Sequence, residues 1–292
     1  MIISVNAQSS SIRGSGRCIS DGILLGLIDL SAALVLSILI GIIGFVLVRG
    51  FSSVTPAFLF GVTSALKQTT GIAGNIVNTL YIIVITLVFA APIGVGSAVY
   101  LNEYAKPGKL VQAVEFTTQT LAGIPSILFG LFGMVFFGIG MKLGYSILAG
   151  SLTLALMVLP LITRNTQEAL KAVPESCRTG ALALGSGKWH MIRTILLPAA
   201  KPGILAGLIL AVGRIVGESA ALLFTAGSGY FLPRAGLGWL RKVTESGGSL
   251  TVQMYLSMSK AQYATAYGIA AVLIVIVLCL NGLTKLITKK LK

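Results

Sequence analysis

The chain has 292 residues, of which 55% are hydrophobic and only 10% are charged, and its mean hydropathy is +0.93. Soluble domains carry about 25% charged residues. The composition therefore excludes a soluble globular enzyme, a disordered protein and a coiled coil, and it indicates one polytopic membrane domain. The net charge of +14 favours cytoplasmic loops over a nucleic-acid surface, because the cations lie between apolar stretches.

The apolar stretches predict six transmembrane helices, since a spanning helix needs about 20 apolar residues. They cover residues 26–48, 76–99, 119–141, 144–163, 202–223 and 262–284. Residues 1–22 form a polar N-terminal tail, and residues 23–292 form the transmembrane domain.

An even number of spans puts both termini on one side of the membrane. With the termini inside, 14 lysines and arginines fall in inner segments, seven fall in outer segments, and Arg214 lies within a span. This bias predicts cytoplasmic termini. Gly203 with Gly207, and Gly213 with Gly217, have the spacing that lets helices approach closely, and we interpret them as packing positions.

Residues 164–201 form a loop that is too polar to span and too patterned for a plain linker. Pro174 and Glu175 fit the first turn of a helix. Cys177, Ala181 and Leu184 would then make one apolar face. An amphipathic hairpin that only joins two spans is the alternative interpretation.

A second helix is predicted after a turn in this loop. Gly185 fits the end of the first helix, and Ser186 fits the cap of a second helix that runs through Trp189 and Ile192. Pro198 would close the loop before the fifth span.

Residues 185–188 read Gly-Ser-Gly-Lys and look like part of a phosphate-binding P-loop. Trp189 stands where Ser or Thr must hold magnesium, and Leu182 stands where the first glycine belongs. The segment also follows a predicted helix instead of a strand. We therefore expect this chain to bind no ATP and no other cofactor, and its one histidine, His190, cannot build a metal site alone.

Arg214 and Glu218 are the two charged residues within the fifth span, and their spacing puts them on one helix face. Ionisable residues inside a membrane are costly, and they face a pathway or a partner. A self-neutralising structural ion pair is one interpretation. The other interpretation is an anion path, on which the planar fork of N–H donors of Arg214 binds an oxyanion. Glu218 would hold Arg214 in place and lower its affinity for that anion. Ser126 offers a further hydrogen-bond donor to an anion.

The cytoplasmic loop resembles the "EAA" loop of ABC-importer permeases through the spacing of Gly185, Ile195 and the Leu197-Pro198 pair. Thr179, Gly180 and Ala181 stand at the Glu-Ala-Ala positions, so the glutamate is missing here. The resemblance implies a coupling helix that docks on a separate ATPase subunit. The residues that it assigns to coupling are Pro174, Arg178, Thr179, Gly180, Ala181, Gly185, Lys188, Ile195 and Pro198.

Four further segments, residues 91–104, 122–132, 213–218 and 248–253, look like the phosphate-specific ABC importer permeases, and more like the PstA branch than the PstC branch. This resemblance implies an all-α membrane protein with six transmembrane helices and the type I ABC importer permease (MetI-like) fold with its cytoplasmic coupling helix. It also implies the plasma membrane of a bacterium or archaeon.

The implied function is that of the permease subunit of an ATP-driven importer of inorganic phosphate, in which Arg214 and Glu218 look like the family's membrane-embedded pair. The implied partners are a sister permease (PstC-like), a dimer of a separate ATPase (PstB-like) that uses ATP and magnesium, and an external phosphate-binding protein (PstS-like). The implied mechanism is alternating access driven through the coupling helices.

Two other functions stay open on the residues alone. One is an ABC permease for another oxyanion such as sulfate or molybdate. The other is a secondary transporter or channel that uses Arg214 and Glu218 without an ATPase. Two acidic residues next to predicted spans, Glu103 and Glu115, are expected to be solvated or to contact the sister subunit.

Overall fold

A computed structural model describes residues 15–64, 69–106, 108–233 and 238–290. Residues 1–14 of the predicted tail lie outside these ranges, as do four of the cations counted for the orientation, Arg13, Lys67, Arg234 and Lys292. The chain divides into two compact units, Met1–Val48 and Arg49–Lys292.

The first unit consists of most of helix α1, which runs from Ser15 to Phe51. Its apolar stretch Asp21–Phe51 is long enough to cross a membrane. The polar hydroxyls of Ser31 and Ser37 each donate to a backbone carbonyl one turn earlier, so they do not interrupt the helix. Residues 15–22 of the predicted tail are already helical.

In the part of the second unit that the structure describes, the regular structure is helical apart from one small antiparallel pair of strands, β1 (Val62–Ser64) with β2 (Thr69–Ile72). Its helices are α2 (Pro56–Phe60), α3 (Ala73–Val99), α4 (Lys109–Gly123), α5 (Ser126–Gly133), α6 (Ile147–Lys171), α7 (Glu175–Ala183), α8 (Lys188–Met191), α9 (Leu197–Val216), α10 (Ala220–Thr225), α11 (Gly238–Arg241), α12 (Leu250–Ser259) and α13 (Tyr263–Lys290). Segments with π-helical hydrogen bonding extend α3, α5 and α8 at Tyr100–Tyr104, Met134–Gly140 and Ile192–Leu196, and a 3-10 turn extends α11 at Lys242–Thr244.

Helices α3, α6 and α9 pack together in the core of this unit because small residues let their backbones approach. A Cβ atom at Gly94 of α3 would lie 2.7 Å from the Cγ2 atom of Ile162 on α6. A Cβ atom at Gly207 of α9 would lie 2.6 Å from the Cβ atom of Asn165. The packing interpretation is confirmed for Gly207, whereas Gly213 faces open space.

Among the described residues, five helical runs are long and apolar enough to span a membrane, and α4 with α5 makes a sixth if that bent pair counts as one span. The predicted third span is wrong as a single helix, because α4 and α5 meet at an angle of 102°. Ile124 leaves the helical region with ψ 132°, as the residue before a proline prefers to do. Pro125 then stands at the N-terminal cap position of α5, where its missing backbone N–H leaves no helical hydrogen bond unmade.

The loop after α6 contains the predicted turn, but three details of the prediction are wrong. Gly187, not Ser186, stands at the N-terminal cap position of α8. Pro198 does not close the loop, because the helical run continues from Lys188 to Val216. Leu184 lies at the end of α7 and is 91% exposed, so it does not share the packed face of Ala181.

The segment after α10 contains helix α12, which the sequence patterns did not predict. Its N-terminal cap is Ser249, whose Oγ atom accepts the backbone N–H of Val252 at 3.2 Å. Leu250 and Val252 are buried at its start. Helix α12 thereby fixes Thr251 next to the break between α9 and α10.

Candidate functional site

Arg214 lies in the last turn of α9, where a cation is favoured by the partial negative charge of the helix C-terminus. Its side chain is 54% exposed. Among the described residues, its guanidinium has one polar contact, in which Nη2 lies 3.9 Å from Oε2 of Glu218. Most of its fork of N–H donors therefore remains available to an oxyanion.

Glu218 follows the end of α9, so the prediction that both charges lie on one continuous helix is wrong. The helix ends at Val216, and α10 begins only at Ala220. The Glu218 side chain is 6% exposed, and its Oε1 atom accepts the backbone N–H of Ala221 at 3.2 Å. The other oxygen faces Arg214, so the predicted proximity of the two charges is retained across a broken helix.

The hydroxyl of Thr251 fixes this break from the side of α12. It donates to the backbone carbonyl of Glu218 at 2.8 Å, and its Oγ1 atom lies 2.8 Å from the Oγ atom of Ser249. Both hydroxyl groups are buried. The carboxylate of Glu218 thus has a defined position before any ligand arrives.

Arg214 faces a cavity of about 340 Å³ between α4, α6 and α9. The polar residues that line it are Thr118, Gln119, Arg164, Asn165, Glu168 and Arg214. Arg164 supplies a second guanidinium, which is itself only loosely paired with Glu168 at 3.7 Å on the exposed side. Arg164 was predicted only as the first charge of the cytoplasmic loop, although its position at the end of an apolar stretch was a usable signal.

Ser126 is not among the residues that line this cavity. It is the first residue of α5, on the far side of the bend from α4, and it is half-buried. The structure therefore brings Arg214 and Glu218 together but not Ser126. Among the described residues, no group of three metal-ligating side chains is close enough to hold a metal ion.

The turn between α7 and α8 has a defined geometry that depends on Gly185. Its φ angle is +77°, a region that glycine adopts without steric cost. The N–H groups of Gly185 and Ser186 donate to the carbonyls of Leu182 and Ala181, both at 3.0 Å. This is the Schellman arrangement that ends a helix, and it fixes the direction in which Leu184 projects.

The residues that the resemblance assigns to coupling divide into an exposed set and an inward set. Pro174, Thr179, Gly180, Gly185, Lys188 and Pro198 are exposed. Ala181 is buried and Ile195 is half-buried, and both belong to an apolar cluster with Leu170 and Ile192. Two exposed apolar side chains, Leu182 and Trp189, accompany Leu184 on the outside.

Arg178 points inward instead of outward, which is a correction to its expected place on the docking surface. Its side chain is 13% exposed, and all five of its N–H donors have partners within the chain. These partners are Glu103 Oε1 at 3.1 and 3.4 Å, Glu175 Oε2 at 3.1 Å, the Val173 carbonyl at 3.0 Å and the Leu170 carbonyl at 2.8 Å.

Glu103 is the buried partner of Arg178, with a side chain that is 5% exposed. The expectation that it is solvated or contacts a sister subunit is therefore wrong, whereas Glu115 is exposed as expected. Next to Glu103, the ring of Tyr104 lies 5.0 Å from the Nζ atom of Lys188. The end of α3 thus contacts both helices of the loop.

Residues 90–292 match the family described as "Binding-protein-dependent transport system inner membrane component". The chain belongs to this family. This permease is 32% identical to the phosphate transport system permease protein PstA of Haemophilus influenzae over 287 residues, which cover 95% of this chain and 97% of that protein. It is 38% identical over 211 residues to the probable ABC transporter permease protein YqgI of Bacillus subtilis, covering 72% of each chain. The predicted family is confirmed.

Solved ABC transporters share the fold of this permease. A bacterial alginate ABC transporter superposes with a TM-score of 0.67 at 17% identity, over 94% of this chain and 98% of that chain. The MetNI methionine ABC transporter superposes with a TM-score of 0.57 at 18% identity, over 76% of this chain and 94% of that chain. The predicted helical membrane fold of the MetI-like importer permeases is confirmed, and the chain is a multi-pass membrane subunit of an ABC transporter.

Proposed function

We propose that this permease passes inorganic phosphate across the bacterial or archaeal plasma membrane, with Arg214 as the anion contact on the path. The observation that carries the proposal is a half-exposed guanidinium with free donors on the wall of a polar cavity. Relatives that match most of the chain are named as phosphate transport permeases. A guanidinium fits a tetrahedral oxyanion because its donors are fixed in a planar fork.

Glu218 lowers the affinity of Arg214 for phosphate, so that the anion can be released. Its carboxylate lies 3.9 Å from the guanidinium, so a phosphate at Arg214 must share that positive charge with a fixed anion. A path conducts only if each site binds weakly enough to release. Arg164, on the wall of the same cavity, offers a second cation to which the released anion can move.

The loop from Pro174 to Pro198 is the proposed docking surface for a separate ATPase dimer. Leu182, Leu184 and Trp189 are exposed on it, and the Gly185 turn fixes where Leu184 projects. Exposed apolar groups of this kind mark contact surfaces between proteins. We propose that this side, and with it both termini, is cytoplasmic, as the charge distribution predicts.

The remaining proposed partners follow from the same assignment. A sister permease would complete the translocation path. An external phosphate-binding protein would deliver the anion on the side of the membrane opposite to the loop from Pro174 to Pro198, called the coupling loop from here on. ATP and magnesium would be used by the ATPase dimer, with this chain holding neither. Transport would proceed by alternating access.

The test is phosphate uptake by the complete complex in proteoliposomes, with ATP hydrolysis followed in the same vesicles. Arg214→Gln should abolish uptake while hydrolysis continues, and Arg214→Lys should restore it only in part, because an ammonium group lacks the planar fork. Lys109→Gln is the matched control, since it removes an exposed cation at the start of α4, away from the cavity.

Each outcome assigns or rejects one part of the proposal. If the wild-type complex took up sulfate or molybdate in place of phosphate, phosphate would be rejected as the substrate. The assignment as an ABC importer permease would stand. Wild-type uptake without the ATPase or ATP would reject the coupling surface. Full uptake by Arg214→Gln would reject the anion path.

A further inference from the structure

Helix α3 and its π-helical extension form one uninterrupted helical run of 32 residues, Ala73–Tyr104. At 1.5 Å per residue its length is about 48 Å, which exceeds the hydrocarbon thickness of about 30 Å. The two ends of this run therefore lie near opposite faces of the membrane. Each end makes buried polar contacts with a different functional part of the permease.

The end near Tyr104 is fastened to the coupling loop. Glu103 receives two hydrogen bonds from Arg178, and the same guanidinium also binds the last turn of α6 through the Leu170 carbonyl. Asn102 donates to the Glu103 carboxylate at 2.7 Å. Because the Glu103 side chain is nearly buried, separating it from Arg178 would leave a buried carboxylate without its cation, so this contact resists separation.

The end near Ala73 is fastened to the segment that starts α12. The amide nitrogens of Asn75 and Asn78, both fully buried, donate to the carbonyls of Gly248 and Gly229 at 3.0 and 2.8 Å. One turn further along, the Oγ1 atom of Thr79 accepts the N–H of Leu250 at 3.0 Å. The start of α12 therefore follows any displacement of this end of α3.

The residue after Leu250 reaches the anion path. Thr251 donates to the backbone carbonyl of Glu218 at 2.8 Å, and the Glu218 carboxylate lies 3.9 Å from Arg214. A continuous set of contacts thus leads from Arg178 in the coupling loop, along α3 and the start of α12, to Glu218.

We propose that α3 transmits the movement of the coupling loop to the Arg214–Glu218 pair, with two positioning residues. Glu103 connects α3 to the loop, and Thr251 connects α12 to Glu218. Rigid helices joined by buried polar contacts are the physical means by which distant sites become coupled. Displacement of the loop would move α3, and α12 would then shift the Glu218 backbone and alter how strongly its carboxylate competes for Arg214. This inference rests on the proposed function.

The test compares isosteric variants at the two connections in the complete complex in proteoliposomes, and its readout is the phosphate taken up per ATP hydrolysed. Glu103→Gln and Thr251→Val should each lower this ratio about fivefold or more, the lower end of the range for energetic coupling between sites. The matched controls are Glu115→Gln, an exposed carboxylate, and Thr244→Val, an exposed hydroxyl that donates to the nearby Arg241 carbonyl. Both controls should keep the wild-type ratio.

The double variant of Glu103→Gln and Thr251→Val separates one shared connection from two independent defects. If both residues act through α3, the double variant should lower the ratio no further than the more severe single variant. The proposal would be overturned if the fold reduction in the double variant equalled the product of the two single-variant reductions. It would also be overturned if either single variant kept the wild-type ratio of phosphate taken up to ATP hydrolysed. A parallel fall of uptake and hydrolysis, with the ratio unchanged, would mean a merely structural role and would also overturn it.

The wild-type complex tests the proposed function independently of the variants. If the wild type hydrolyses ATP but takes up no phosphate, the proposed function fails before any variant is compared. If the wild type transports and Glu103→Gln does not assemble, Thr251→Val decides alone, because Thr251 lies on α12 and its substitution leaves Arg178 and Glu103 intact.

Discussion

The substitution Glu218→Gln tests whether this carboxylate weakens the hold of Arg214 on an anion. The glutamine keeps the shape of the side chain and still offers an oxygen to the Ala221 N–H, which lies 3.2 Å from Oε1. The contact from Thr251 goes to the backbone carbonyl and is unaffected. The change therefore removes the negative charge and little else.

The magnitude follows from the distance between the charges. At 3.9 Å a unit charge pair interacts by about 4 kcal/mol at an effective dielectric constant of about 20. The Arg214 side chain is 54% exposed, and measured pairs with exposed partners contribute about 1 kcal/mol or less. We therefore expect phosphate to bind at Arg214 about fivefold more tightly in the variant, since 1.4 kcal/mol corresponds to a factor of ten.

The assay is equilibrium binding of radiolabelled phosphate to the purified permease complex without the external binding protein. Maximal uptake in proteoliposomes should fall in the same variant, because a tighter site releases its anion more slowly. Glu115→Gln serves as the control for the loss of one exposed carboxylate. Unchanged or weaker phosphate binding by Glu218→Gln would refute the competition between Glu218 and the anion.

Three further predictions concern the cavity, the docking surface and the core. Arg164→Gln should lower phosphate uptake while ATP hydrolysis continues, because it removes the second cation of the cavity; equal uptake would exclude Arg164 from the path. Leu184→Ser should reduce copurification of the ATPase subunit without lowering the melting temperature of the permease, since Leu184 is exposed; unchanged copurification would contradict the docking surface. Gly94→Ala should destabilise the permease by about 1–3 kcal/mol through overpacking against Ile162. The control Gly96→Ala, in open space, should leave the stability equal or higher. Thermal unfolding of both variants measures the difference, and equal melting temperatures would contradict the close packing at Gly94.

The local patterns of the sequence predicted most of the long helices and the turn at Gly185, because both depend on neighbouring residues. Apolar length defines a spanning helix, and the glycine at position 185 is needed where φ is +77°. The break at Ile124 and Pro125 also has a local signal, because a residue before proline prefers an extended backbone. However, the apolar stretch continues across the break. Apolar length alone therefore predicted one straight span where the structure has two helices at 102°.

The Arg214–Glu218 pair was predicted as a candidate site from its chemistry, but its geometry was not predicted. A charge inside an apolar stretch is visible in any sequence, so Arg214 and Glu218 stood out. The end of α9 at Val216 depends on contacts from elsewhere, among them the hydroxyl of Thr251 on α12. Sequence spacing carries no information on a partner 33 residues away.

The sequence by itself determined that this chain lies in a membrane, which apolar stretches are long enough to cross it, where a structured loop interrupts them and which two charges lie within the fifth stretch. These properties follow from hydropathy and local backbone preferences, which act over a few residues. Only the tertiary structure decided that Arg178 faces Glu103, that Arg164 lines the cavity of Arg214, and that α3 connects the loop to α12. Those contacts join residues distant in sequence, and they depend on how α3, α6 and α9 pack against one another.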